Sequence, residues 1–464
     1  MKKSTSAITA MLAFALFSTD AQAGTISDED AALLRSEVAA MKARIEELER
    51  RLADQQPATA PAPVPPVPVS VAAAATAPKA DAARIEWKGS PRIVQDDRSF
   101  KVKGRIQLDA NYVAPPARLT DRGLGFSNEA RRIRLGGEGE MGSGFGYKLE
   151  LELSDNGVDL VDTFATYKRG PWLLTLGNHN QFQSLDELVS DTAGSVMERA
   201  AFTDAFNFER RLGLSAQYRK GILLAQAGIF TDDIAALANS SDGPAGGDEN
   251  NSFSLDGRVV IAPKLGATQL HLATSGHWRQ LGRLADSATR YRQRPFVHST
   301  NSRLIGTPQL PVETEFSHGI ELGAVRGRWH TAGEMHWLRA DLTGAPTVNF
   351  KGGYAEVGYF LTKGDSRPYD NGIFGTPKPA HAFGKGGIGA VQLNLRYDYL
   401  DLDSGKVRGG KQNGYIAALV WTPIQYVRFN LNYAHLDYQG ATPLGNGRTD
   451  YGLDVIGSRF ELDF

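Results

Sequence analysis

A set of basic residues on strand-like segments is the feature of this sequence most suited to chemistry. Residues two apart on a β-strand share a face, so such side chains could bind an anion in turn. Guanidinium groups bind phosphate bidentately, and a series of them can pass an anion along if none binds too tightly. The predicted anion path consists of Lys101, Lys103, Arg105, Arg132, Arg134, Arg258, Arg396 and Arg428. The alternative is that these basic residues are ordinary water-exposed residues and have no role in selectivity. They would then pair with the carboxylates of Glu138, Glu140, Glu150, Glu152, Asp256 and Asp398.

A second basic cluster lies between Arg279 and Arg303. Its arginines face only one carboxylate, Asp286. They are Arg279, Arg283, Arg290, Arg292, Arg294 and Arg303. The segment could be an external funnel that concentrates anions, a site that binds the phosphates of lipopolysaccharide, or a solvated basic loop.

The histidines and the absence of cysteine argue against a metal site and an enzyme. His271 and His277 share one strand face, as do His330 and His336, but six-residue spacing separates each pair by about 20 Å. Without cysteine there is no disulfide, thiolate ligand or thiol nucleophile. No G-x-S-x-G motif is present either. We therefore expect no catalytic residue, no metal and no cofactor.

The elements that position these residues begin with an export signal. Residues 1–23 open with Met1-Lys2-Lys3, continue through an apolar stretch and end in Ala21-Gln22-Ala23, which is typical of a cleaved signal peptide. That stretch is shorter than the ~20 residues of a membrane helix, and later segments of that length carry charges. Since the formal net charge is −1, there is no electrostatic reason to expect a nucleic-acid partner.

Two further segments separate this signal from the main domain. In residues 24–55, apolar residues alternate at steps of four and three, which predicts a coiled coil of about three heptads. Its apolar seam is Leu34, Val38, Met41, Ile45, Leu48 and Leu52. So short a helix requires partner helices; an amphipathic surface helix is the alternative. Residues 56–86, rich in proline and alanine, predict an extended linker.

Residues 87–464 show a period of two, which indicates β-structure. From Phe100 to Tyr112 apolar residues alternate with charged or amide residues, and the pattern recurs in later segments. The segments are about ten residues long, as tilted membrane strands require. Aromatic residues such as Trp172, Tyr218, Trp278 and Trp421 lie near segment ends, and the chain ends in Phe464. We therefore predict an all-β fold, a transmembrane antiparallel β-barrel of about sixteen strands.

The connections alternate in length. Short links at 141–144, 169–171 and 262–266 fit periplasmic turns. The long stretches 179–210, 231–252, 279–316 and 364–386 fit external loops or loops folded into the barrel.

Residues 100–464 resemble the phosphate-selective porin O and P family. The resemblance rests on residues 359–369 (YFLTKGDSRPY) and 374–379 (FGTPKP), with further agreement at 130–135, 396–402, 409–414 and 427–433. It implies a sixteen-stranded, homotrimeric outer-membrane porin whose third external loop folds into the lumen and whose basic wall conducts anions. It also implies an N-terminal coiled coil in many members.

By its place after the fifth predicted strand, the segment from His179 to Arg211 matches that third loop. The predicted constriction residues are Asp186, Glu187, Asp191, Glu198, Arg199 and Asp204. Before Arg210 and Arg211, carboxylates greatly outnumber the single arginine, and such a constriction is expected to repel a dianion. The loop therefore departs from an anion filter.

We expect a water-filled channel for passive diffusion of small hydrophilic solutes, with anions such as phosphate favoured. A general or cation-preferring pore is one alternative, and a barrel-anchored structural tether is another. The expected location is the outer membrane of a Gram-negative bacterium, with the N-terminal segment in the periplasm. Expected partners are two further copies of the chain, outer-membrane lipid, lipopolysaccharide and small solutes.

Overall fold

The structure is a computed structural model that describes Lys42, Arg50 and residues 83–154, 157–232, 234, 252–281 and 289–464. The second of the two units into which the chain divides, Lys79–Phe464, contains every described strand. The predicted signal peptide lies outside the described residues. So do the coiled coil, apart from Lys42 and Arg50, and most of the linker.

The described residues form mainly β-strands. The strands are β1 (Arg84–Trp87), β2 (Pro91–Gln95), β3 (Arg98–Val113), β4 (Gly125–Gly142), β5 (Phe145–Glu152), β6 (Asp159–Arg169), β7 (Trp172–Asn180), β8 (Arg210–Lys220), β9 (Leu223–Phe230), β10 (Phe253–Ile261), β11 (Lys264–Leu265), β12 (Thr268–Gln280), β13 (Val312–Arg326), β14 (Trp329–Leu342), β15 (Ala345–Phe360), β16 (Tyr369–Asp370), β17 (Ile373–Phe374), β18 (Ala390–Ser404), β19 (Val407–Ile424), β20 (Val427–Gln439) and β21 (Tyr451–Asp463). Two short helices, α1 (Leu185–Leu188) and α2 (Ala201–Ala205), follow β7.

Sixteen of these strands close into an antiparallel barrel. Each long strand pairs with its neighbours in sequence, and β21 pairs with β3 from Val455↔Val113 to Asp463↔Arg105. The barrel strands are β3 to β10, β12 to β15 and β18 to β21. Closure leaves none of these strands with an unpaired edge. The prediction of an all-β barrel of about sixteen strands is therefore confirmed.

The wall is apolar outside and polar inside. Along β3, Leu108 and Tyr112 are 47% and 46% exposed, whereas Gln107, Asp109 and Asn111 are buried. The alternation follows from the two-residue period of a strand. A soluble sandwich would bury its apolar face and wet the polar one, so this arrangement is that of a barrel in lipid. Within the described residues, no α-helix is long and apolar enough to cross a membrane.

The two ends of the barrel differ. Short turns at 143–144, 170–171 and 221–222 lie at one end, which we call the turn end; β21 also finishes there. Residues 181–209 and 281–311, called loops L3 and L5, connect strands at the opposite end, the loop end. Of the two alternatives predicted for residues 364–386, the structure agrees with a loop folded into the barrel. The strand order places residues 361–389, the inward segment, at the turn end, from which they fold into the barrel.

The chain terminus completes the wall at the turn end. The Phe464 N–H donates to the Gly104 carbonyl at 2.9 Å, and the Gly104 N–H donates to the Phe464 carbonyl at 3.0 Å. The Phe464 ring also occupies the space beside Gly104 where another residue would carry its Cβ. The last residue is thus part of the seam between β21 and β3.

Candidate channel constriction

Loop L3 leaves the wall after the fifth barrel strand, β7, and crosses the lumen. Its first helix, α1, begins after Ser184, whose hydroxyl accepts from the Glu187 N–H and donates to Glu334 on β14. The N–H groups of Leu185 and Asp186 also donate to the Glu334 carboxylate, at 3.0 and 2.7 Å. A carboxylate at a helix N-terminus satisfies N–H groups that have no partner inside the helix. Glu334 therefore anchors the start of L3.

Other wall residues bond to the backbone further along L3. The Asn394 amide donates to the Ser195 carbonyl at 2.7 Å, and the Asn432 carbonyl oxygen accepts from the Met197 N–H at 3.0 Å. Asp398 accepts from the Ala201 N–H, at the start of α2. These strands lie across the barrel from β7, so L3 is fixed against the far wall.

The carboxylates of L3 are paired with guanidinium groups of that wall. Asp186 contacts Arg396 at 3.0 Å, and Asp191 contacts Arg132 at 3.1 Å and Arg105 at 3.5 Å. Glu198 pairs with Arg459 and lies 3.8 Å from Arg131. Counting charge on the loop alone was therefore misleading, because the wall neutralises the acidic excess that the sequence suggested.

These pairs set the ionisation of the loop. Burial acts to raise the pKa of Glu198, but Arg459, Arg131 and Arg132 outweigh it and lower the pKa to about 2. Asp191 likewise keeps a pKa well below its usual range, because Arg132, Arg199 and Arg105 outweigh its burial. Glu187 differs: its burial raises its pKa, and Arg199 only partly opposes this. Asp191 and Glu198 are therefore fixed charges at neutral pH.

All eight residues of the predicted anion path lie on the inner face, and seven are already bonded. Their partners are Glu138 for Lys103, Asp191 and Asp463 for Arg105, Asp191 for Arg132, Glu150 and Glu152 for Arg134, Glu321 for Arg258, Asp186 and Glu356 for Arg396, and the Asp191 and Gly194 carbonyls for Arg428. Lys101 has no ion pair within the described part of the chain. An incoming anion must therefore compete with protein acceptors at nearly every guanidinium group.

The inward segment meets L3 from the turn end. Arg367 donates to the Glu356 carboxylate at 2.9 Å and to the Ala193 carbonyl of L3 at 3.1 Å. Tyr369 and His271 share a hydrogen bond of 2.7 Å, and Arg258 donates to the Gly372 carbonyl at 2.9 Å. The lumen is thus narrowed from both ends by segments that touch at Arg367.

Loop L5 narrows the loop end. His298 bonds to Glu129 at 2.9 Å, and the Asn111 amide donates to Ser299 at 2.8 Å. A cavity of about 220 Å³ remains between L3, L5 and the wall, lined by six arginines and five acidic residues. They are Arg131, Arg132, Arg199, Arg294, Arg396 and Arg459, with Asp186, Glu187, Asp191, Glu198 and Asp204. The space open to a solute is therefore bounded by nearly balanced charge.

Comparison with known proteins assigns the family. Residues 100–464 match the family described as phosphate-selective porin O and P. The chain belongs to this family. An uncharacterized protein of Caulobacter vibrioides is 58% identical over 451 residues, which cover 95% of this chain and 91% of that protein.

Solved porin structures share the fold of this porin. The outer-membrane protein OmpT of Vibrio cholerae gives a TM-score of 0.50 at 10% identity, covering 80% of this chain and 98% of that one. OprB of Pseudomonas putida also gives 0.50, at 9% identity and with coverages of 79% and 94%. Family and fold are those of an outer-membrane channel, which fits the outer membrane of a Gram-negative bacterium.

The four histidines of this porin that were considered as metal ligands each contact a different residue inside the barrel. His271 lies 3.0 Å from Glu321, and His277 lies 2.8 Å from Asp256. His336 contacts Glu334, and His330 contacts Arg367. In the described residues, no group of three or more His, Asp or Glu side chains has an arrangement that could hold a metal ion.

Three constriction residues of this porin were missed by the sequence prediction. Arg131 faces inward because a β-bulge interrupts the β3–β4 register between Gln107↔Arg132 and Leu108↔Ala130, and a period of two cannot reveal that. Arg367 lies in a motif used only for the resemblance. The inward orientation of Arg459 could have been predicted from the alternation of residues on the last strand, where it lies between Ser458 and Phe460.

Proposed function

We propose that this porin is a water-filled channel for passive diffusion of small hydrophilic solutes with a preference for anions, phosphate among them. The observation that carries the proposal is the lining of the lumen cavity, where guanidinium groups exceed carboxylates by one. Nearer the turn end, Lys101 adds a positive charge that has no ion-pair partner among the described residues. A small excess of fixed positive charge in a narrow, poorly screened space favours anions.

A general pore with little ionic preference is the second candidate. The observation that favours it is the pairing of seven of the eight predicted path residues with protein acceptors. A guanidinium group held by carboxylates, as Arg396 is by Asp186 and Glu356, offers less to a passing anion than a free one. Weak selectivity would then result from a lumen that is charged but nearly neutral overall.

The reversal potential of the purified protein in planar bilayers under a salt gradient separates the two candidates. An anion-selective potential, with chloride current reduced by added phosphate, supports the first. A potential near zero supports the second, and a cation-selective one contradicts both.

The quadruple variant with Lys101, Arg105, Arg132 and Arg134 changed to Gln tests whether these basic wall residues produce the anion preference. The first proposal expects anion preference to be lost in this variant. It does not expect loss when the exposed residues Arg326, Arg339, Lys351 and Arg408 are changed to Gln, since these four lie on the outer face or rim. Anion preference that survives in the first variant would leave the basic path without a role.

We also infer a homotrimer whose residues 24–55 assemble in the periplasm. The heptad seam supports this inference, because three heptads are stable only with partner helices. Cross-linking of the mature chain should give a trimer band. The same experiment on residues 87–464 shows whether the barrel alone is sufficient, and only monomers from both chains would contradict the trimer.

A further inference from the structure

Three arginines of L5 converge on a cavity outside the constriction. Arg290, Arg292 and Arg303 line a space of about 320 Å³, together with residues 304–307 and the loop-end residues Gly409 and 440–442. None of the described residues that line it also lines the lumen cavity. We call this space the arginine cavity.

The backbone of L5 explains why these arginines face away from the lumen. Isolated bridges Thr289↔Leu310 and Arg292↔Gly306 hold residues 289–310 as an irregular extended pair. Along it, Tyr291 and Gln293 are buried and bond to the inner-wall residues Glu315 and Gln412. The alternate residues Arg290 and Arg292 are exposed on the opposite face. Successive residues of an extended segment point to opposite sides, so Arg290 and Arg292 lie on the outer side of L5. Arg303 lines the same space from the other half of the pair.

The arginine cavity differs from the lumen in charge. Among the described residues that line it there is no carboxylate. Two nearby arginines have acidic partners: Arg279, at the end of β12, contacts Asp232 at 2.9 Å, and Arg294 of L5 contacts Asp204 at 3.8 Å. In contrast, the Nε and Nη1 groups of Arg303 are buried and have no hydrogen-bond partner in the described structure. Buried, charged donors without an acceptor are unfavourable, and an anion would satisfy them.

The electrostatics of Arg303 agree with an unfilled anion site. Burial, and then repulsion by Arg294 and Arg292, lower the pKa of Arg303 to about 10, although Asp204 opposes the shift. An anion in the cavity would offset both causes, since it would accept the buried N–H groups and balance neighbouring positive charges.

We propose that Arg290, Arg292 and Arg303 form a binding site for a phosphoryl group on the outer side of L5. A phosphoryl group suits the trio because it presents several acceptor oxygens and enough charge for more than one guanidinium group. The group is supplied either by free phosphate, captured ahead of the lumen, or by a phosphorylated glycolipid of the surrounding outer leaflet. Both sources present the same chemistry to the cavity.

The test compares the purified full-length protein with R303Q and with the control R448Q. Arg448 is an exposed arginine on the neighbouring 440–450 loop that does not line the cavity, so R448Q removes the same charge. One arm titrates inorganic phosphate by calorimetry at low ionic strength. The other measures retention of bisphosphorylated and dephosphorylated lipid A by native mass spectrometry.

We expect R303Q, but not R448Q, to lower the affinity for one of the two phosphoryl ligands by roughly tenfold or more. This is the effect expected from the loss of a charged hydrogen bond. A loss in the phosphate arm identifies the free ion as the source, and a loss confined to bisphosphorylated lipid A identifies the glycolipid. Equal binding by wild type and R303Q in both arms would overturn the proposal. If R303Q does not fold, the exposed double variant R290Q/R292Q provides the same comparison.

Discussion

At the residue scale, Arg459 links two barrel strands to loop L3 within the constriction. It donates to Asp109 on β3 at 2.7 Å, to the Met197 carbonyl of L3 at 2.7 Å and to Glu198. Both Arg459 and Asp109 are buried. Removing one member of such a group leaves the others charged and without a partner, and that residual charge accounts for most of the cost.

Arg459→Gln should lower the free energy of unfolding by about 3–5 kcal/mol and weaken the hold on L3. Thermal and guanidinium unfolding in detergent measure the first effect, and single-channel conductance measures the second. The control is Arg339→Gln, since Arg339 forms an exposed pair with Asp341 and should change stability by less than about 1 kcal/mol. Equal effects of the two variants would show that the Arg459 pairs do not stabilise the closed lumen.

Glu198 gives a prediction about pH. Its pKa is about 2 in the folded protein and 4.5 in the unfolded reference, so its ionised form stabilises the fold. That contribution is fully present above about pH 4.5 and is lost as the pH falls towards 2. The difference in melting temperature between wild type and Glu198→Gln should be constant from pH 8 to 5 and should shrink below that range. A difference that disappears near neutral pH would contradict the assigned pairing.

At the element scale, L3 is held by many hydrogen bonds to the wall. The carboxylate of Glu334 receives three of them, from the Ser184 hydroxyl and two N–H groups of α1. Bonds to a charged acceptor stabilise more than neutral ones, about 1.5–3 kcal/mol each. The position of L3 therefore depends more on this one side chain than on the helical propensity of a single turn.

Glu334→Gln should loosen the start of L3, because a neutral amide accepts these hydrogen bonds more weakly. We expect larger fluctuations of open-channel current and a higher mean conductance in planar bilayers. Glu140→Gln is the control, as Glu140 is an exposed carboxylate at the turn end of β4. If both variants conduct like wild type, the Glu334 anchor does not limit the movement of L3.

At the scale of the whole molecule, the barrel could be predicted and the state of its lumen could not. Alternation from Phe100 to Tyr112 was sufficient to give strands and their two faces, because a strand has a fixed period. The length of the segments and the aromatic residues at their ends then indicated a membrane barrel. The charge of the constriction depends on contacts such as Asp186 with Arg396, which are 210 residues apart. Nothing local indicates such a pairing. The bulge at Arg131 and the entry of residues 361–389 into the barrel from the turn end could not be predicted either. Both depend on how strands pair in the folded barrel.

The seam between β3 and β21 gives a further prediction. A Cβ at residue 104 would lie 2.1 Å from the Phe464 ring, so Gly104→Val should displace the terminal residue. We expect this variant to lose its heat-resistant migration in SDS gels at a lower temperature than wild type. The control is Gly276→Val, because a Cβ there meets no atom within 4 Å. Equal melting of the two variants would show that the Phe464 contact does not secure the seam.

Arg459 lies on β21, which follows all the other barrel strands in sequence, yet it holds a loop that begins after the fifth barrel strand. An assembly intermediate that has not yet received β21 therefore lacks both the final pair of strands and one restraint on L3. Sealing the wall and restricting the passage are then completed by the same event during biogenesis. A cell that inserts only finished barrels avoids a leak across its envelope, and shortened chains released from a stalled ribosome would lack the means to restrict their own opening.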